Sequence, residues 1–544
     1  MVNAKETYQE AVDAGHTAFY MEEDELMGDT FTMKVGNIPP AEMAVIKLQY
    51  FCQLQVRNET KEFGECALAV FALPSVLNPR YTPSSLASES NRQFGHPNAI
   101  TFTTVTVPYK FSFSANLTAQ CPIVSVTSAK DIFELNYQGE NRKTAKLTLQ
   151  SEFKFDHDLE MDIILADPTK LTITYEQCDS NEKGGILGFD CLTVNFLPVF
   201  KEDTDTRNEV IFLIDRSGSM SGKNIMQAKE SLLLFLKSLP TDCRFQIVGF
   251  GTTFSALFNE PQDYTEESMK MALEYQKNMN ADMGGTEVLG ALESIYAKEI
   301  TGAGWHRKII FLTDGDITNQ TQVISLVRRN AKTTRMFAIG LGDGASTSLV
   351  TGVARAGGGK SAFVRNDERL QPVVLHILQL ALQPFASEVE LTWSITGGAG
   401  GNALPVVTIP DQLPNLYSGS YATVIGLIAN PKKLKLAGRV TLNYKVNGQT
   451  YTNSADVSEA GLPRQDESGQ SNLVFHRQAA KIQILELSDR HASLVKTNRE
   501  EKEAEHIQKK IVTLSTSTNV ISRFTAFVGV DPEKLGEFRP FKPE

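Results

Sequence analysis

Several common features are missing from this 544-residue chain. No apolar run approaches the ~18 residues that a membrane-spanning helix needs. The six cysteines (Cys52, Cys66, Cys121, Cys178, Cys191 and Cys243) form no CxxC pair, and no histidine lies near them at metal-ligand spacing. Reduced, mostly buried thiols in a cytosolic protein are therefore expected. Basic charge is also short. The 53 Lys and Arg are outnumbered by 64 Asp and Glu, giving a formal charge of -11, which argues against a sequence-blind nucleic-acid binder. The first residues, Met1-Val2-Asn3-Ala4-Lys5-Glu6, lack the apolar core of a secretory signal. There is no short-period repeat and no low-complexity tract.

The remaining composition is that of an ordinary globular protein, 41% apolar and 22% charged. The length predicts three or four domains. Residues 1–75 open with a helical pattern through Tyr8, Ala11, Val12 and Gly15, followed by strand-like runs over Ala44–Val56 and Cys66–Leu73. Residues 76–205 begin in a Pro-, Ser- and Asn-rich surface loop. They continue as short runs alternating apolar and polar, such as Lys146–Leu149 and Lys170–Thr174, which predict half-buried strands of a sandwich. A polar linker over Lys201–Asn208 precedes a third segment, 206–385, where strand and helix patterns alternate. That alternation predicts a doubly wound parallel sheet with helices on both faces. Residues 386–544 return to β pattern, with one long helix expected over Asn472–Leu514 and a closing strand over Arg523–Val530. The fold class expected is multidomain, an α/β domain flanked by β-sandwich-like domains and a C-terminal helix.

Three fragments of the 206–385 segment point to one metal site. Asp215-Arg216-Ser217-Gly218-Ser219 follows the apolar run Val210–Ile214, Thr286 closes a Gly284-Gly285-Thr286 turn, and Asp314 follows the apolar run Ile309–Leu312 in Thr313-Asp314-Gly315. Parallel strands end in loops on one edge, where ligands bind. Asp-x-Ser-x-Ser turns alternate side chains toward one point, so Ser217 and Ser219 can bind an ion directly. Thr286 adds an oxygen from another loop, and Asp215 and Asp314 bind directly or through water. Such an all-oxygen shell suits Mg²⁺, and the absence of sulfur and imidazole argues against zinc. The shell is incomplete, which leaves a position for a ligand from elsewhere and suggests cation-bridged capture of a partner. The bland alternative is a helix N-cap, with Ser219 or Ser221 serving the helix from Lys223.

These residues, across about Glu209–Leu382, are where the chain resembles the von Willebrand factor A (VWA) domain and its metal-ion-dependent adhesion site. The resemblance implies a doubly wound sheet, Mg²⁺ or Mn²⁺ as cofactor, and an acidic residue of a protein partner as the last ligand. Tyr8-Gln9-Glu10-Ala11, Gly15-His16-Thr17-Ala18 and Val35-Gly36-Asn37-Ile38-Pro39-Pro40 resemble the VIT domain of inter-alpha-trypsin inhibitor heavy chains and their intracellular relatives. Tyr81, Phe196-Leu197-Pro198, His476–Lys481 and Thr525–Val528 extend the likeness to the cytoplasmic von Willebrand A domain-containing 5A group and to part of vault poly(ADP-ribose) polymerase. That likeness implies a cytoplasmic setting, with the nucleus as a second one, and hints at a large assembly. VIT domains place several strands before the Tyr-x-x-Ala helix, so the module expected here is partial.

The leading expectation is a non-enzymatic intracellular adaptor. A metal-dependent hydrolase is one alternative, for which His306, just before the strand carrying Asp314, is the only base the sequence nominates. A secreted heavy-chain-like matrix protein is the other, but Asp531-Pro532-Glu533 has Glu533 where those chains have histidine. Gly357-Gly358-Gly359-Lys360-Ser361 is similar to a phosphate loop, yet Ala354 stands where the pattern needs glycine, and a helix precedes it where a strand is required. A helix-to-strand turn is the expectation there.

Overall fold

A computed structural model describes the chain apart from residue 1 and the stretches 24–30, 42–44, 62–63, 74, 76–109, 155–156, 167–170, 180–184, 197, 199–206, 303–304, 316, 318, 332, 343, 365–369, 384, 399–400, 412, 414–415, 418–420, 447–448, 460–471, 495–500 and 532–544. Almost all of the expected Pro-rich loop, most of the polar linker, Tyr81, and Pro532-Glu533 lie outside the described residues. By its internal contacts the chain divides into two units, 53–178 with 189–472, and 1–52 with 179–188 and 473–544.

The α/β domain lies in the first of these units. Its strands are β1 (Arg207–Asp215), β2 (Arg244–Phe250), β3 (Phe254–Ala256), β4 (Gln262–Asp263), β5 (Trp305–Thr313), β6 (Thr334–Leu341) and β7 (Gly358–Val364), and its helices α1 (Lys223–Ser238), α2 (Glu266–Asn278), α3 (Val288–Ala297), α4 (Gln320–Asn330), α5 (Thr347–Ala356) and α6 (Leu370–Leu382). The sheet order is β3-β2-β1-β5-β6-β7, with β4 also on β2. Strands β2, β1, β5, β6 and β7 run parallel, and β3 and β4 are antiparallel additions to β2. The near-continuous apolar run of β1 is what a strand buried on both faces requires. Val210, Phe212 and Ile214 enter one core with Ile225, Leu232 and Phe235 of α1 and Ile377 of α6. Ile211 and Leu213 enter the other with Leu292 of α3, Val323 of α4 and Val353 of α5. The doubly wound sheet expected from the alternating pattern is the one observed.

The strand order reverses direction at β1, whose neighbours are β2 on one side and β5 on the other. The loops leaving β1 and β5 therefore part to opposite faces and leave a crevice at the carboxyl edge. At the other end of the strands Glu209 pairs with Arg307 and, at 2.6 Å, with Arg244, all largely buried.

Two β-sandwiches complete this unit. In the first, Gln55–Lys61, Gly64–Leu73, Leu159–Ala166 and Ile123–Thr127 face Ser114–Thr118, Thr144–Leu149 and Phe133–Gln138 across a core containing Ala69, Leu147, Phe153 and Met161. In the second, Thr172–Glu176 and Asp190–Phe196 join Ala422–Ile428 and Val406–Ile409 in one sheet. Phe385–Gly397, Leu436–Val446, Gln449–Asp456 and Leu416–Tyr417 form the other. The contiguous segments 76–205 and 386–544 thus do not correspond to separate sheets, because Thr193 pairs with Ile425. The run Ala44–Val56 also differs from expectation. Residues 45–54 are not strand, and the strand begins at Gln55.

The second unit packs the helix Val2–Asp13 on a sheet ordered Phe31–Gly36, Ala18–Glu23, Ala526–Val530, so the closing strand pairs with the N-terminal hairpin. Asn37 holds that hairpin to the helix, its amide donating to Val12 O at 2.6 Å. The single helix expected over Asn472–Leu514 is two, Val474–Leu494 and Glu501–Thr518, packed on each other.

Candidate metal centre

The crevice at the β1–β5 switch point brings Asp215, Ser217, Ser219 and Asp314 together. Asp215 is the last residue of β1 and is fully buried, and Asp314 directly follows β5 and is 7% exposed. Main-chain turns aim the intervening hydroxyls. Ser217 N–H donates to Asp215 Oδ1 at 2.9 Å, Ser217 Oγ and Ser219 Oγ lie 3.0 Å apart, and Ser219 Oγ donates to Asp314 Oδ1 at 2.9 Å. None of these hydroxyls caps α1, whose N-cap is Gly222 at φ 82° with no side-chain bond. The N-cap alternative therefore does not account for the serines.

Thr286 arrives from the loop before α3. That loop is stitched to its neighbours by Gly218 N–H to Gly284 O at 2.8 Å, Gly285 N–H to Thr252 Oγ1 at 2.8 Å and Glu287 N–H to Gly251 O at 2.9 Å. Gly284 takes φ +77°, and a Cβ there would stand 2.6 Å from Thr252 Oγ1, so the turn requires glycine. Thr286 is 8% exposed, and its Oγ1 makes no hydrogen bond to any described residue. A buried hydroxyl left in this state costs free energy, and a cation in the crevice would remove the cost.

Electrostatics favour the same reading. Burial pushes the Asp215 carboxyl up to about 6; hydrogen bonds from Ser217 and Thr313 oppose that rise, and the neighbouring Asp314 adds to it. Burial also raises Asp314, against hydrogen bonds from Asn224 and Ser219. Two adjacent buried acids are costly as anions unless a cation compensates them. The donor set is all oxygen, which fits Mg²⁺ or Mn²⁺ and not a soft metal. Among the described residues no group of three or more His, Cys, Asp or Glu could hold a metal ion; this crevice depends on hydroxyls.

Two residues of the site went unread in the sequence. Thr313 Oγ1 donates to Asp215 Oδ2 at 2.6 Å, and Asn224 Nδ2 donates to Asp314 Oδ2 at 2.6 Å. They orient the acids, as residues behind metal ligands do. Thr313 was visible as the residue preceding Asp314; Asn224, in the first turn of α1, gave no signal. His306 lies on the surface, in a strand and not a loop, and does not line the crevice. It is the second residue of β5, exposed, and pairs with Asn208. It stands at the strand's amino end, eight residues from Asp314, which at ~3.3 Å per residue places it far from the crevice. Gly357 turns the chain from α5 into β7, which begins at Gly358 with φ +63° and has Gly359 where a Cβ would stand only 2.0 Å from Met336 O.

Residues 208–363 match the von Willebrand factor type A domain, and residues 2–50 the Vault protein inter-alpha-trypsin domain. The chain is 35% identical over 545 residues to von Willebrand factor A domain-containing protein 5A of Homo sapiens, covering 98% of this chain and 65% of that protein. The Rattus norvegicus protein of the same name is 32% identical, with 97% and 62% covered. A von Willebrand factor A domain-containing protein of Dictyostelium discoideum is 26% identical over 557 residues, covering 96% of this chain and 57% of the relative. The chain therefore spans less than two thirds of the length of these curated relatives. Among the described residues no helix is long and apolar enough to cross a membrane. The chain thus carries a segment matching the VIT domain and one matching the von Willebrand factor type A domain, and over nearly its whole length it is similar to von Willebrand factor A domain-containing protein 5A.

Proposed function

We propose that the A domain binds Mg²⁺ or Mn²⁺ through Ser217, Ser219 and Thr286, with Asp215 and Asp314 in the same shell, and captures an acidic residue of a protein partner. The orphaned, buried Thr286 hydroxyl carries this reading, because it belongs to a loop tied to the Ser217–Ser219 turn by the Gly218 N–H to Gly284 O bond. The cation would neutralise the two buried acids and leave a coordination position for an incoming carboxylate. The protein then acts as an adaptor inside the cell; Cys191 and Cys243, buried as free thiols, fit a reducing compartment.

The test is affinity capture from cell lysate with wild type and Asp215→Ala, each in Mg²⁺ and in EDTA. Partners retained only by wild type in Mg²⁺ are the expected result. Identical partners in all four samples would sink the reading.

A further inference from the structure

Arg216 lies inside the Asp-x-Ser-x-Ser turn, yet its side chain leaves the crevice. It crosses β2 at Gly249, where a Cβ would stand 2.7 Å from Arg216 Cδ and 2.6 Å from Tyr275 Oη. Beyond that strand the guanidinium makes three separate bonds. Nε donates to Asn280 O at 2.9 Å, one terminal nitrogen donates to Tyr275 Oη at 3.1 Å, and the other pairs with Asp282 at 2.6 Å. The main chain repeats the connection, with Arg216 N–H donating to Phe250 O at 2.8 Å and Arg216 O accepting from Met283 N–H at 3.0 Å. One residue therefore spans β1, β2, the end of α2 and the 279–285 loop that leads into Thr286.

We infer that Arg216 is the positioning residue of the cation site, setting the separation of the Thr286 loop from the Ser217–Ser219 turn. The inference rests on the metal reading above. A fixed fork of donors suits this task better than a flexible ammonium. The Asp282 partner is 57% exposed, so the ion pair alone would contribute little; the three bonds act together. Arg216 borders an open cavity of about 360 Å³ with Leu257, Met271, Glu274 and Met279. The main chain also ties this loop to the end of β2, through Thr252 N–H to Met283 O at 2.6 Å, so the side-chain bonds act beside that tie.

Calorimetric titration of the full chain with Mg²⁺ tests the role, using Arg216→Gln, Arg216→Lys and Tyr275→Phe beside wild type. Each variant's melting in EDTA records its structural cost separately. Arg216→Gln is expected to weaken Mg²⁺ binding about tenfold, as loss of a residue behind the ligands does. Arg216→Lys recovers only part of this, and Tyr275→Phe shows a smaller loss in the same direction. Wild-type affinity in Arg216→Gln overturns the positioning role while leaving the metal reading intact. The same holds if Mg²⁺ affinity merely follows the EDTA melting temperatures across the three variants. A wild type that does not bind Mg²⁺ overturns the metal reading, and this inference with it.

Discussion

Thr286 has opposite effects in the two states of the crevice. Without a cation its buried hydroxyl is a cost, since no described residue accepts or donates to it; with a cation it becomes a ligand. Thr286→Val keeps the branched shape and removes only the oxygen. The apo protein should therefore gain about 1 kcal/mol, the cost of one unsatisfied buried group, while Mg²⁺ affinity falls. Thermal melts of both proteins with EDTA and with Mg²⁺ would show the curves crossing: the variant melts higher in EDTA and gains less from Mg²⁺. A variant that melts lower than wild type in both conditions would mean the hydroxyl has a structural partner. The same residue explains why the site was legible from sequence. The ligands sit in glycine-bearing turns or directly after buried strands, and these leave local marks at Gly284-Gly285, Val210–Ile214 and Ile309–Leu312. Asn224 left none, because orienting Asp314 from the first turn of a helix demands only a short amide, which helix starts carry for many reasons.

At the level of the element, β5 is used differently at its two ends. Its carboxyl end delivers Asp314 to the crevice; near its amino end Lys308 is 1% exposed, its ammonium donating to the Asn208 carboxamide. Burial holds the Lys308 ammonium well below its ordinary range, and Arg335 adds to the effect. The folded state therefore binds this proton less tightly than the unfolded chain does. The resulting penalty is full below the depressed folded value and is relieved as pH rises from there toward the unfolded value near 10.5. Lys308→Met, apolar and of similar length, should raise the melting temperature at pH 7, with the advantage shrinking as pH approaches 10. A margin independent of pH would show that the lysine binds its proton equally in the folded and unfolded states, so that burial does not depress it. Elements of this sheet were readable because their signals are local: apolar runs of four or five residues, and a helical stripe at Ile225, Ala228, Leu232 and Phe235. The strand-like run Ala44–Val56 was less reliable: Val45 is 85% exposed and the pairing starts at Gln55. An apolar run shows that a segment could be buried, and pairing decides whether it is.

For the whole molecule, the question is which pieces carry their own cores. The α/β domain does. Both faces of its sheet are covered by helices from within 207–382, and its two cores draw only on that range. The second sandwich does not, because Asp190–Phe196 pairs residue by residue with Ala422–Ile428, across the entire α/β domain. Its core likewise mixes Ile173, Leu192 and Val194 with Val424, Val440 and Leu442. No local pattern could have shown this, since the partners are about 230 residues apart and each half reads as an ordinary strand. The consequence can be tested by expression of fragments. Residues 206–385 should fold alone, melt cooperatively and bind Mg²⁺ with the affinity of the full chain. Residues 386–544 should not, because removal of Thr172–Phe196 uncovers the edge of Ala422–Ile428 and the apolar face beneath it. Circular dichroism melts and limited proteolysis of the two fragments decide the matter. A stable, protease-resistant 386–544 fragment would show that this sandwich can close without the strands contributed from the other side of the α/β domain. A 206–385 fragment that folds but binds Mg²⁺ more weakly would mean that the crevice is braced from outside its own sheet.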